Sequence, residues 1–209
     1  MEGTPLAVIN LRARTSWVFD MDGTLTVAIH DFAAIKSELG LEPARPILEQ
    51  LEELPAAQAD GKYQRLDEIE SELARRASPQ PGARELLSAL RARGAVLGVV
   101  TRNSHTNALA TLSTCGLSEF FQPAFVIGRE SCAVKPSADG VHMLLSLWRA
   151  DAADAVMVGD YLFDLVAGKE AGTATVYVDS SGRFPYAERA DVCLRSLREL
   201  LSILEAPIQ

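Results

Sequence analysis

Asp20 and Asp22 stand two positions apart at the end of a short apolar run, Trp17-Val18-Phe19, and Gly23 and Thr24 follow at once. An uninterrupted apolar run of this kind suits a buried parallel strand, and the glycine breaks it and turns the chain. The two carboxylates therefore belong at the carboxyl end of a strand, where open α/β sheets bind their ligands. There, one carboxylate can attack phosphorus while the other moves a proton, provided that a cation offsets the crowded negative charge. The same residue types also close strands as Asx turns with no chemistry. Polar groups at other strand ends decide between these readings.

Three later segments carry such groups. The run Val99-Val100 ends in Thr101-Arg102-Asn103-Ser104, which brings a hydroxyl and several backbone N–H groups to the start of a helix, a setting that holds anions. Thr101 and Ser104 could equally be plain helix caps. Lys135, one of four lysines, precedes Pro136 and Ser137 in a loop entering a helix and could neutralise an acidic cluster as a point charge. A strand at Ala155 to Val158 ends in Gly159-Asp160, and Asp164 lies one helical turn further on the same side. Those two carboxylates could also do no more than complement a helix dipole. Together the strand ends supply two Asp, a Thr, a Lys from the adjoining loop and two further Asp, in that order.

The elements that must position these groups alternate. From Gly82 onward the pattern predicts helix Ala83 to Arg93, strand Ala95 to Val100, helix Ser104 to Thr114, strand Ala124 to Ile127 and helix Ser137 to Trp148. Strand Ala155 to Val158, helix Leu162 to Ala171, strand Ala174 to Val178 and a last helix Leu197 to Leu204 follow. Parallel strands need crossover helices, so the expectation is an α/β, doubly wound, Rossmann-like parallel sheet. Between the first strand and Gly82 the chain reads as helices only: Asp31 to Leu39, Ile47 to Leu54 and Tyr63 to Arg76, punctuated by Pro43, Pro46 and Pro55. The predicted division is a core of residues 1–26 and 79–209 with a small inserted helical unit at 27–78.

At 209 residues and 22.6 kDa the chain holds one core, or one core plus a small module. A net charge of −8 and the lack of any basic stripe argue against a nucleic-acid partner, and they leave an anionic substrate to be drawn in by local cations or a metal. No apolar stretch approaches the ~18 residues that span a bilayer. The start, Met1 to Asn10, does not read as a signal peptide, and three scattered cysteines, Cys115, Cys132 and Cys193, predict reduced thiols in the cytoplasm.

Asp20 through Thr26, Val99-Val100-Thr101, Lys135 and Gly159-Asp160 with Asp164 together resemble the four motifs of phosphatase-type members of the haloacid dehalogenase superfamily, in particular its phosphoglycolate phosphatase-like branch with a helical cap. The resemblance covers essentially the whole chain. It implies that Asp20 is the nucleophile and Asp22 the general acid and base, and that Mg²⁺ is held by the Asp20 carboxylate, the Asp22 backbone carbonyl and Asp160. Asp164 would orient a metal-bound water or Lys135. Thr101, with backbone N–H groups near Gly23 and Arg102, would hold the phosphoryl oxygens, and Lys135 would neutralise both Asp20 and the phosphate. The implied activity is hydrolysis of small phosphomonoesters through an aspartyl-phosphate, by a monomer or small homo-oligomer. A phosphomutase shares the four motifs, whereas a non-catalytic binding protein needs none of them together. Halide-displacing relatives lack the second aspartate. Segment 27–78 takes the place of the cap but is short, which implies relaxed specificity or larger substrates. His30, Arg45 and Lys62 are its candidates for reading the leaving group. His105 and His142 carry no motif.

Overall fold

The computed structural model describes residues 10–206. Six strands form one sheet: β1 (Ser16–Phe19), β2 (Val96–Val100), β3 (Val126–Ile127), β4 (Ala155–Gly159), β5 (Ala174–Val178) and β6 (Val192–Leu194). Their order is β3-β2-β1-β4-β5-β6 and all pairings are parallel. The order reverses between β1 and β4, so the crevice at the carboxyl ends of these two strands is the topological switch point.

Side chains along a strand alternate between the two faces, and the apolar residues divide accordingly. Trp17, Phe19, Leu97, Val99, Val156 and Val158 join one cluster with α4 (Ala83–Ala92), α5 (His105–Thr114) and α8 (Leu197–Glu205). Val18, Val100 and Met157 join a second with α6 (Asp139–Trp148) and α7 (Leu162–Glu170). Helices on both faces make the doubly wound arrangement expected from the alternating pattern.

The helical segment after β1 contains α1 (Phe32–Glu38), α2 (Ile47–Glu52) and α3 (Ala56–Ala74). The α1 helix is capped by Asp31, whose side chain accepts from the Ala34 N–H at 2.9 Å. These helices surround an apolar cluster of their own, built on Ile35, Leu39, Leu48, Leu51 and Leu66, with Val134 packed against it. The chain leaves and rejoins the sheet at one place: Val27 N–H donates to the Ser78 carbonyl, Gln80 N–H donates to the Leu25 carbonyl, and Thr26 bridges Pro79.

Most elements fall within a few residues of their expected spans, with three differences. The α3 helix begins at Ala56 rather than Tyr63, because the apolar periodicity that marks it starts only in its second half. The third strand is only Val126–Ile127; the preceding Pro123–Phe125 forms a 3-10 turn. The sixth strand, Val192–Leu194, is absent from the expected elements. It is tied to β5 by Asp191, whose carboxylate accepts from the Thr175 N–H at 2.8 Å and the Thr175 hydroxyl at 2.9 Å and pairs with Lys169.

Candidate active site

Parallel register explains why residues far apart in sequence converge. Phe19 is level with Val99 on one side and Val158 on the other, so the first residues past the ends of all three strands emerge within one position of the same level. Asp20 follows β1, Thr101 follows β2 and Asp160 follows β4. The Asp20 N–H continues the ladder to the Val158 carbonyl at 2.9 Å, and the Thr101 N–H does so to Ile127 at 3.0 Å.

Lys135 enters from the loop before α6 and is only 2% exposed, the most deeply placed charge in the site. Its Nζ donates to Asp20 Oδ1 at 2.5 Å and lies 2.7 Å from Asp164 Oδ1. The other Asp164 oxygen accepts from the Tyr161 N–H at 3.0 Å, which ties the carboxylate to the start of α7. Asp160 accepts from the Thr24 hydroxyl at 3.2 Å. Gly23 makes this approach possible: its φ is +95°, and a Cβ there would lie 2.3 Å from Asp160 Oδ2. Gly159 gives similar room, since a Cβ would stand 2.2 Å from the Cβ of Asp164.

Asp20, Asp160 and Asp164 each offer an oxygen, all within 4.8 Å of one another. Burial raises the Asp20 carboxyl above its ordinary range, against the pull of Lys135. Burial, followed by repulsion from Asp20 and Asp164, pushes Asp160 up to about 8. Asp164 rises to about 6, again chiefly through burial and despite Lys135. On Lys135 burial acts to lower the pKa, but Asp164 and Asp20 outweigh it and the ammonium is held charged. One ammonium thus faces three carboxylates. The surplus negative charge and the all-oxygen donor set fit a hard divalent cation.

Asp22 has different surroundings. Its carboxylate is partly exposed and lies 4.0 Å from His30 Nδ1, with Asn103 Nδ2 at 3.5 Å on its other oxygen. It borders a cavity of about 390 Å³ between the carboxylate cluster and the helical segment.

Thr101, Arg102, Lys135 and Asp164 also line this cavity, so the candidates from β2, the Lys135 loop and α7 meet those from β1. Thr101 is not a helix cap: its hydroxyl accepts from the Asn103 N–H at 3.0 Å, and Ser104 caps α5. One candidate differs from expectation. The Gly23 N–H already donates to the Thr26 carbonyl at 3.0 Å, so this residue contributes its φ and its missing side chain rather than an amide for phosphate. The Arg102 guanidinium is turned to α2, where it grips both Glu49 oxygens at 2.9 and 2.7 Å; it also donates to the Lys135 carbonyl and covers the Phe163 ring at 4.9 Å.

Among the three candidates from 27–78, only His30 reaches the cavity. Arg45 pairs with Glu53, and Lys62 donates to the Leu39 carbonyl. Phe32, Lys36 and Asn103 line the cavity without having been singled out from sequence. The i, i+4 spacing of Phe32 and Lys36 was the available signal for those two.

A family model for haloacid dehalogenase-like hydrolases matches residues 17–178. The chain belongs to this hydrolase family. It is 31% identical over 179 residues to a haloacid dehalogenase-like hydrolase domain-containing protein of Arabidopsis thaliana, covering 80% of this chain and 71% of that one. It is 27% identical over 195 residues to an uncharacterized hydrolase of Saccharomyces cerevisiae, covering 90% and 89%. Its fold superposes on a predicted phosphoglycolate phosphatase from Haemophilus somnus with a TM-score of 0.73 at 22% identity, over 92% of this chain and 99% of the other.

Proposed function

We propose that this chain is a Mg²⁺-dependent phosphatase that hydrolyses small phosphomonoesters through an aspartyl-phosphate on Asp20. The observation that carries the reading is the unequal treatment of the two carboxylates of one motif. Asp20 is buried against Lys135, whereas Asp22 borders the open cavity beside His30 and Asn103. Burial against a lysine supports attack on phosphorus by the first, and access to the cavity supports proton exchange with a leaving group or water by the second.

The Asp20 carboxylate attacks phosphorus as the ester P–O bond breaks, and Asp22 gives its proton to the departing alkoxide. Asp22, now a carboxylate, takes a proton from the water that attacks the aspartyl-phosphate, which frees inorganic phosphate and restores Asp20. Lys135 offsets charge on Asp20 and the transferring oxygens, and the Thr101 hydroxyl and Arg102 N–H orient those oxygens. Asp20, the Asp22 carbonyl and Asp160 would hold Mg²⁺, with Asp164 fixing Lys135. The metal would supply charge stabilisation at the phosphoryl group. Of the expected core, 1–26 and 79–209, the described residues 10–26 and 79–206 make up the sheet domain, and 27–78 is a cap that covers the site from water. The three cysteines, none of them bridged, suit a cytoplasmic setting.

Phosphate release from a chromogenic phosphomonoester with Mg²⁺ tests this. Asp20→Asn is expected to reduce the rate by at least about 10³-fold, the order seen when a nucleophile is removed. Undiminished hydrolysis by the variant contradicts the reading. An isomeric phosphate product in place of inorganic phosphate would make the chain a phosphomutase.

A further inference from the structure

Opposite Asp20 and Asp22, the wall of the cavity contributed by 27–78 is apolar: Phe32, Ile35, Ile47, Leu48 and Leu66 all line it. Phe32 is 57% exposed, a large aromatic face left open at the site. It stacks on the His30 ring, with centroids 5.5 Å apart and planes 14° from parallel. Phe163 and Tyr161 add aromatic surface from the α7 side, their rings 5.1 Å apart and edge to face.

Most of the charged groups on the same cavity already have charged partners, whereas Lys36 has a backbone carbonyl. Lys36 Nζ donates to the Pro43 carbonyl at 2.7 Å. The Arg102 guanidinium is held by Glu49 and the Lys135 carbonyl. Glu70 is paired with Arg129, with both of its oxygens on one guanidinium nitrogen at 3.0 and 2.8 Å. Lys135 serves Asp20 and Asp164. Lys36 keeps two further N–H donors, but a second anionic group on the substrate would otherwise have to break an existing ion pair. A sugar would place several hydroxyls against hydrocarbon, and polar groups buried without partners oppose binding.

Resting on the phosphatase reading above, we infer that the preferred substrate is a monoester whose alcohol is apolar and ring-bearing, its ring lying against Phe32. A cavity of about 390 Å³ has room for a phosphoryl group and one such ring.

The test compares kcat/KM with Mg²⁺ for benzyl phosphate, ethyl phosphate, glycerol phosphate and 2-phosphoglycolate, all monoesters of alcohols too weakly acidic to leave unaided. Benzyl phosphate is expected to exceed both polar esters by about 30-fold or more, the scale set by burying a ring's apolar surface. Equal or better use of 2-phosphoglycolate or glycerol phosphate overturns the inference and leaves the phosphatase reading intact. Release of phosphate from none of the four overturns both. In Phe32→Ala the ratio of benzyl to ethyl phosphate is expected to fall at least fivefold, on the order of the loss of one aromatic contact. An unchanged ratio overturns the placement of the ring on Phe32 and the inference with it.

Discussion

The carboxyl end of the sheet and the helical segment facing it handle charge in opposite ways. At the strand ends the charged groups are inside: Lys135, on a loop, is buried between Asp20, which follows β1, and Asp164, which α7 carries. Across the cavity, 27–78 presents mainly hydrocarbon to the site, and three of its carboxylates sit where it meets the sheet domain. Glu49 holds Arg102, and Asp67 and Glu70 hold Arg129. The first arrangement leaves no freedom for the reacting groups. The second lets apolar residues facing the cavity vary without disturbing them, so on the proposed function reaction and preference would be carried by separable parts of the molecule.

Lys135→Met strikes the comparison at its strongest point, since it leaves carboxylates buried without their counter-charge. Unfolding by urea in the absence of metal should show a loss of about 3–5 kcal/mol, the scale for breaking a buried pair from one side. Phosphate release should fall by at least about 10²-fold. Near-normal stability would mean that the buried charge is balanced by some other group.

Asp22→Asn tests the proton-transfer role separately from packing. Activity should drop by about 10²–10⁴-fold, the usual reach of general acid–base catalysis, while the urea midpoint changes little. Equal loss of stability and activity would count against a role in proton transfer.

Arg129→Met probes the attachment of the helices. Its guanidinium is 6% exposed and Glu70 10%, so the variant leaves a largely buried carboxyl unpaired; burial already pushes Glu70 up to about 7, against the pull of Arg129. A cost of about 1–3 kcal/mol is expected, together with faster proteolysis within 27–78 and a larger change in KM than in kcat. A pure kcat effect would join the two regions more tightly than the comparison allows.

The smallest effect is predicted far from the site, at β6. Burial acts to raise the Asp191 pKa, but Lys169 and Thr175 outweigh it and the carboxyl is held below its ordinary range. Its contribution to stability is therefore present above the unfolded carboxylate pKa of about 3.9 and is lost as pH falls through the lower folded value. Asp191→Asn should cost about 1 kcal/mol near neutrality, and the gap from the parent protein should close below about pH 4. A gap independent of pH would assign the cost to packing alone.

The two regions were also unequally legible from sequence. The sheet end announces itself because buried parallel strands are continuous apolar runs, and a polar residue just beyond such a run is conspicuous; Asp20, Thr101 and Asp160 all follow this rule. The exceptions are physical too. Three residues, Val192 to Leu194, are too few to show a strand period, and the Gly23 N–H turns inward to Thr26 in a way no residue type reveals. In 27–78 helical spacing marks the helices but not the direction of each side chain into the cavity. Arg45 and Lys62 carry the right charge and find partners elsewhere, while Phe32, an unremarkable position in an amphipathic pattern, meets the site.

The central claim is that the phosphoryl group passes through Asp20, and it is tested most directly by finding where that group goes. Protein turning over a phosphomonoester with Mg²⁺ would be quenched in acid, digested and mapped by mass spectrometry for a phosphorylated residue. The account predicts a single acyl-phosphate on Asp20, absent from Asp20→Asn. A phosphoryl group on Asp22, Asp160 or any other side chain, or steady turnover by the Asp20→Asn protein, would contradict it.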